Sequence, residues 1–169
     1  MSMETKFIRL CVLSLLSAGL WANGSAVAGT STGTLNVSAT VNHSCRSLTT
    51  APMNFPDYRA TEAAPTDAST QFSVRCTLGT PVNIGLDKGL IGASESARQL
   101  ANGSSRLSYN LYTSAARTTV WDNSASRITA SGQGLGTDMS FTVYGRIPAG
   151  QFSAAPGAYT DTITVVVSY

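Results

Sequence analysis

Tyr159-Thr-Asp-Thr-Ile-Thr-Val-Val-Val-Ser-Tyr169 is the stretch whose reading decides the fold. Ile163, Val165, Val167 and Tyr169 alternate with Thr162, Thr164, Val166 and Ser168. A period of two in hydropathy places one face against a core and the other toward solvent, which is a β-strand half-buried in a sheet. Pro156 and Gly157 read as the turn that launches it. A strand this apolar at the end of a β-domain poses a physical question, because an uncovered strand edge is a template for pairing with another chain.

The same alternation recurs upstream. Leu35, Val37, Ala39 and Val41 share one face of Leu35–Val41, with Asn36, Ser38 and Thr40 on the other. Further strands are predicted at Gln71–Cys76, Pro81–Leu86, Arg106–Tyr112, Thr118–Trp121 and Met139–Ile147, with Asn102-Gly103 as a turn. Residues 46–69 read as loop, with a short strand at Met53–Phe55, and residues 91–105 as a polar connection. Leu107, Tyr109 and Leu111 of Arg106–Tyr112 face inward, as do Met139, Phe141, Val143 and Ile147 of Met139–Ile147. No apolar stripe of helical period follows the leader. Seven or eight short strands separated by turns predict an all-β sandwich of the immunoglobulin-like kind.

Residues 1–28 have the pattern of a secretory signal peptide. Lys6 and Arg9 precede the apolar run Leu10–Leu16, and Ser25–Ala28 offers small residues for cleavage before Gly29. The expected organisation is a leader over 1–28, an N-terminal extension over 29–44 and one domain over 45–169. Removing the leader leaves nine basic and eight acidic residues. There is no basic stripe, so a nucleic-acid partner has no electrostatic footprint. Removal also takes Cys11, leaving Cys45 and Cys76. In an oxidising compartment these two are expected to form a disulfide.

Catalytic chemistry finds few residues to use. His43 is the single histidine, so a Ser-His-Asp arrangement or a metal site would have to be built on it, next to a cysteine expected to be oxidised. Gly132-Gln-Gly-Leu-Gly136 lies between strands rather than between a strand and a helix, and reads as a hairpin turn rather than a phosphate loop. Trp121 and Tyr109 read as core aromatics rather than a sugar-stacking platform with Tyr112 and Tyr144. No cofactor is expected, and the chain is not expected to be an enzyme.

Two alternating strands at opposite ends of the exported chain suggest a subunit that lends one strand and needs another. Leu35, Val37, Ala39 and Val41 would enter an apolar groove in a neighbour, and the backbone would pair with the terminal strand; strand addition of this kind is a known mode of peptide recognition. A head-to-tail contact that does not close makes a fibre. Three blocks then carry a family resemblance. Tyr109-Asn-Leu-Tyr112 with Arg117–Asp122, Val143–Gln151, and Pro156–Thr162 running into the last strand resemble spore coat protein U domains. That family includes subunits of archaic, Csu-type chaperone–usher pili. Gly157 and Tyr169 are similar to the glycine and near-terminal tyrosine of pilin C-terminal strands, although Tyr169 is final rather than penultimate here.

The resemblance implies an incomplete immunoglobulin-like fold completed by a donor strand. It implies capture by a periplasmic chaperone, polymerisation with neighbouring subunits at an outer-membrane usher, and a cell-surface pilus serving adhesion and biofilm formation. The donor role falls to Leu35, Val37, Ala39 and Val41. The acceptor and chaperone-contact role falls to Ile163, Val165, Val167 and Tyr169, and the disulfide to Cys45 and Cys76. A single domain with an extension fits a shaft or adaptor subunit. The competing reading is a self-complete secreted module, spore-coat-like or carbohydrate-binding, in which residues 35–41 fold back as an ordinary strand.

Overall fold

The computed structural model describes residues 28–169. The signal peptide expected over residues 1–28 lies outside the described residues, save its last position. The described chain is all-β, with eight strands: β1 Cys45–Thr50, β2 Thr66–Cys76, β3 Pro81–Leu86, β4 Arg98–Asn102, β5 Ser105–Tyr112, β6 Ile128–Ser131, β7 Met139–Ile147 and β8 Val165–Ser168. They form a five-stranded sheet of order β1-β2-β7-β5-β4 and a three-stranded sheet of order β6-β3-β8. Every pairing is antiparallel.

The inward faces of the two sheets supply the core, as alternation demands. Phe72 and Val74 come from β2, Val82, Ile84 and Leu86 from β3, and Leu107, Tyr109 and Leu111 from β5. Met139, Val143 and Ile147 add the β7 contribution, while Phe141 is only half-buried and stacks on Phe72, its cross-strand partner, at 5.5 Å. Trp121 is fully buried and donates its indole N–H to the Ile84 carbonyl at 3.0 Å.

Cys45 and Cys76 face each other in the β1–β2 ladder and are bonded, at a sequence separation of 31. Closing a loop of that length restricts the unfolded chain, and replacing both cysteines by alanine is expected to cost about 3–4 kcal/mol. A urea titration of the oxidised protein against the double variant measures this.

Several expected elements differ. β2 begins at Thr66 and not Gln71, because its polar half is held by pairing with β7 from Thr66↔Ile147 onward. The loop expected over 46–69 contains β1, an edge strand of polar sequence that apolar alternation does not register. β4 lies in the expected polar connection, and β6 was also unanticipated. Thr118–Trp121 makes a lone bridge, Val120↔Tyr112, before the chain crosses to the other sheet. Met53–Phe55 is not a strand. Leu35–Val41 carries no strand either, and Leu35, Val37 and Val41 expose 88%, 85% and 85% of their surfaces. A strand, unlike a helix, draws its backbone hydrogen bonds from a neighbour, so alternation without a partner yields no ladder.

Candidate functional site

Five strands in one sheet face three in the other, so the smaller sheet stops short. Its edge strand β8 pairs with β3 alone among the described strands. Beside β8 opens a groove of about 860 Å³. Phe72, Tyr109, Val143 and Ile147 of the larger sheet form its floor. Ile163 and Val165 form one side and Met53, Phe55 and Tyr58 the other.

The last strand is shorter than its alternation predicts, because the ladder with β3 runs only from Leu86↔Val165 to Asn83↔Ser168. Ile163, Val165 and Val167 are half-buried and pack on the core. Thr164 and Ser168 are exposed, in keeping with alternation, but Val166 is half-buried as well. Tyr169 lies beyond the ladder with 60% of its surface exposed. The structure thus gathers three of the four residues expected to form the acceptor face and leaves Tyr169 outside it. Of the residues expected to act as donor, none has a ladder with any described strand.

The wall opposite β8 is built around a missing side chain. Gly145 lies on the inward face of β7, and a Cβ there would come within 2.6 Å of the Phe55 ring and closer to the Met53 sulfur. That notch seats the Met53–Phe55 segment, whose alternation is real but which lies across the inner face of the sheet rather than in it. Phe55 meets Tyr109 edge-on at 6.2 Å, and Tyr58 Oη accepts the Gln151 N–H at 2.9 Å. Gly145→Val is expected to cost about 1–3 kcal/mol by overpacking and to displace this wall. Chemical denaturation and the near-ultraviolet signal of Tyr58 and Tyr109 report the two effects separately.

The start of the last strand is tied down by a polar knot. Asp87 Oδ1 accepts the Thr164 N–H at 2.8 Å, and the Asp87 N–H donates to the Thr164 carbonyl at 3.1 Å. Asp161 accepts from the Leu90 N–H at 2.9 Å and from the Tyr109 hydroxyl at 2.7 Å. Arg98, wholly buried, donates to the carbonyls of Leu86, Asp87 and Trp121 at 2.6–3.0 Å. Burial, and then the Asp161 hydrogen bond, pushes the Tyr109 hydroxyl far above its ordinary pKa. Burial alone would raise Asp87, but donors from Thr164 and Gly89 outweigh it and hold the carboxyl below its ordinary value. Burial also pulls Arg98 below the usual arginine value. None of these three roles was read from the sequence. The available signal was Asp161 inside the Pro156–Thr162 block; Arg98 stood as one arginine in a polar stretch.

His43 is exposed, with Nδ1 3.1 Å from the Thr80 hydroxyl. Tyr109 and Trp121 are core aromatics, as expected. Among the described residues no group of three or more His, Cys, Asp or Glu side chains is placed to hold a metal ion.

Comparison with known proteins agrees with this architecture. The spore coat protein U domain matches residues 31–166. Protein U of Myxococcus xanthus is 33% identical over 168 residues, covering 90% of this chain and 93% of that protein. Among solved structures, the fold is similar to a chain in the CsuC–CsuE chaperone–tip adhesion subunit pre-assembly complex from the archaic chaperone–usher Csu pili of Acinetobacter baumannii. That likeness has a TM-score of 0.51 at 23% identity, covering 77% of this chain and 40% of the other, so this chain spans well under half the matched chain's length. By its sequence match over residues 31–166, the chain belongs to the spore coat protein U domain family.

Proposed function

We propose that the protein is a structural subunit, shaft or adaptor, of a chaperone–usher pilus that polymerises by donor-strand complementation. The observation that carries this reading is the groove beside the free edge of β8, together with an alternating apolar segment, Leu35–Val41, that has no ladder of its own. The groove's occupant is that segment from a neighbouring copy. Leu35, Val37, Ala39 and Val41 enter the groove, and their backbone extends the smaller sheet by one strand. Burying the three larger side chains contributes about 4.5–9 kcal/mol, at roughly 1.5–3 kcal/mol each. Before polymerisation a periplasmic chaperone lends the strand, and an outer-membrane usher receives the subunit. The fibre stands on the cell surface and serves adhesion and biofilm formation. The similar Csu structure, itself a chaperone–subunit complex, is consistent with a chaperone partner.

A charge on the inward face of β8 tests this. Val165→Lys places an ammonium in the groove and is expected to abolish both chaperone capture and fibre formation. Thr164→Lys, on the exposed face beside Asp87, is expected to retain both. Co-purification with the chaperone and electron microscopy of fibres read the two steps, and equal effects at both positions would sink the reading.

A second reading, a self-complete coat protein, draws on the 33% identity to Protein U across nearly all of that protein. It requires a chaperone-free monomer that melts cooperatively and does not polymerise.

A further inference from the structure

The extension is rooted at a definite end of the domain. The Thr77 N–H donates to the Ser44 carbonyl at 2.9 Å, the Ser44 N–H to the Thr77 hydroxyl at 3.1 Å, and His43 contacts Thr80. The Thr77–Thr80 turn immediately precedes β3. The β3–β8 register sets Asn83 against Ser168 and Leu86 against Val165. The root therefore shares an end with the close of β8, and Ile163 and Asp161 lie at the other end, the mouth of the groove.

This polarity restricts which strand adds to β8. All the ladders are antiparallel, and an antiparallel newcomer has its C-terminal end at the mouth. A chain's own extension would arrive with its C-terminal end at the root, parallel to β8. A neighbour's extension is free to add antiparallel, and its root then comes to the mouth. Val41 and His43 are two residues apart, at most about 7 Å of extended chain. So short a root leaves no gap between the two domains.

We propose that successive subunits make a direct second contact, root on mouth, in addition to the exchanged strand, with Leu78 of one copy seated against the Leu90 and Phe152 end of the next. Leu78 lies in the root turn with 80% of its surface exposed. Leu90 and Phe152 are each 76% exposed. Leu90 is bonded to Asp161, which lines the groove, and Phe152 follows Gln151, which is bonded to the groove residue Tyr58. A solitary exposed leucine needs no explanation. These three stand on the two surfaces that the short root forces together, and the occupant is a second copy of this chain. The inference rests on the strand-exchange reading.

Cysteine cross-linking in assembled fibres tests it, because Cys45 and Cys76 are already paired and the exposed positions tolerate substitution. Fibres are built from the double variants Leu78→Cys with Leu90→Cys and Leu78→Cys with Phe152→Cys, then oxidised. At least one is expected to give a ladder of covalent oligomers that reductant removes, and Leu78→Cys alone none. Fibres without a ladder in either double variant overturn the contact. A discrete dimer from Leu78→Cys alone also overturns it, since that places root on root and the added strand parallel to β8. Fibres that still form from the chain lacking residues 35–41, with no cysteine introduced, would instead overturn strand exchange itself, and this surface with it.

Discussion

Removing Leu35–Val41 is expected to leave a protein that still binds a pilus chaperone and forms no fibre. The acceptor groove and β8 belong to the domain over residues 40–169, and the deletion leaves the floor residues Phe72, Tyr109, Val143 and Ile147 in place. What disappears is the apolar face that strand exchange would offer to a neighbour. With about 4.5–9 kcal/mol of side-chain burial gone, and about 1.4 kcal/mol per factor of ten, subunit–subunit affinity is expected to fall by about three to six orders of magnitude. The backbone pairing to β8 is lost as well. A synthetic peptide spanning residues 33–44 is expected to cap the truncated subunit without extending it, because a capped subunit has no strand to pass on. Fibres of normal length from the deletion, seen by electron microscopy after co-expression with the chaperone and usher, would remove the donor assignment.

The inward face of the last strand was legible in the sequence, since Ile163, Val165 and Val167 alternate and pack on the core, whereas the same alternation over Leu35–Val41 marks an apolar face that lies exposed here. β3 at Pro81–Leu86 and β7 at Met139–Ile147 were legible to the residue, since each alternates apolar side chains, with β7 interrupted only at Gly145, and has a turn at its end. β1 was not, because Cys45–Thr50 is a polar edge strand whose pairing with β2 is fixed by backbone and disulfide. β4 was hidden by Arg98, the side chain that alternation counts as an outward residue and the fold buries completely. Met53 and Phe55 alternated correctly and yet form no strand, because their seat is the Gly145 notch on another strand's inner face. A contact of that kind depends on residues 90 positions apart in the chain, and periodicity carries no trace of it. The groove is legible only in part for a related reason. Alternation finds the strand at its edge, but the deficit of three strands against five is a property of the sheets.

Arg98→Met is expected to unfold or nearly unfold the domain, whereas Arg75→Met is expected to leave its stability close to unchanged. Both arginines are held by several hydrogen bonds, and burial decides between them. Arg75 pairs with Asp138 at 2.7 Å with more than a third of each side chain exposed, so water replaces the pair when it is broken. Arg98 is inaccessible to water, and its guanidinium bonds three carbonyls from the end of β3 and the Trp121 segment. Methionine fills similar volume but leaves those acceptors unsatisfied, at about 1–3 kcal/mol for each buried group. The sum is a large share of a domain's stability of about 5–15 kcal/mol. Arg98→Lys is expected to fall between, since one ammonium donates three hydrogen bonds but lacks the planar fork that reaches divergent carbonyls. The same carbonyls belong to Leu86 and Asp87, which hold the start of the last strand, so the variant that folds best should still capture a donor peptide more weakly than wild type. Urea midpoints for the peptide-capped subunit, measured beside peptide affinity, separate the two effects. Equal midpoints for Arg98→Met and Arg75→Met would mean that the buried guanidinium does not hold the end of β3 and, through it, the edge strand β8.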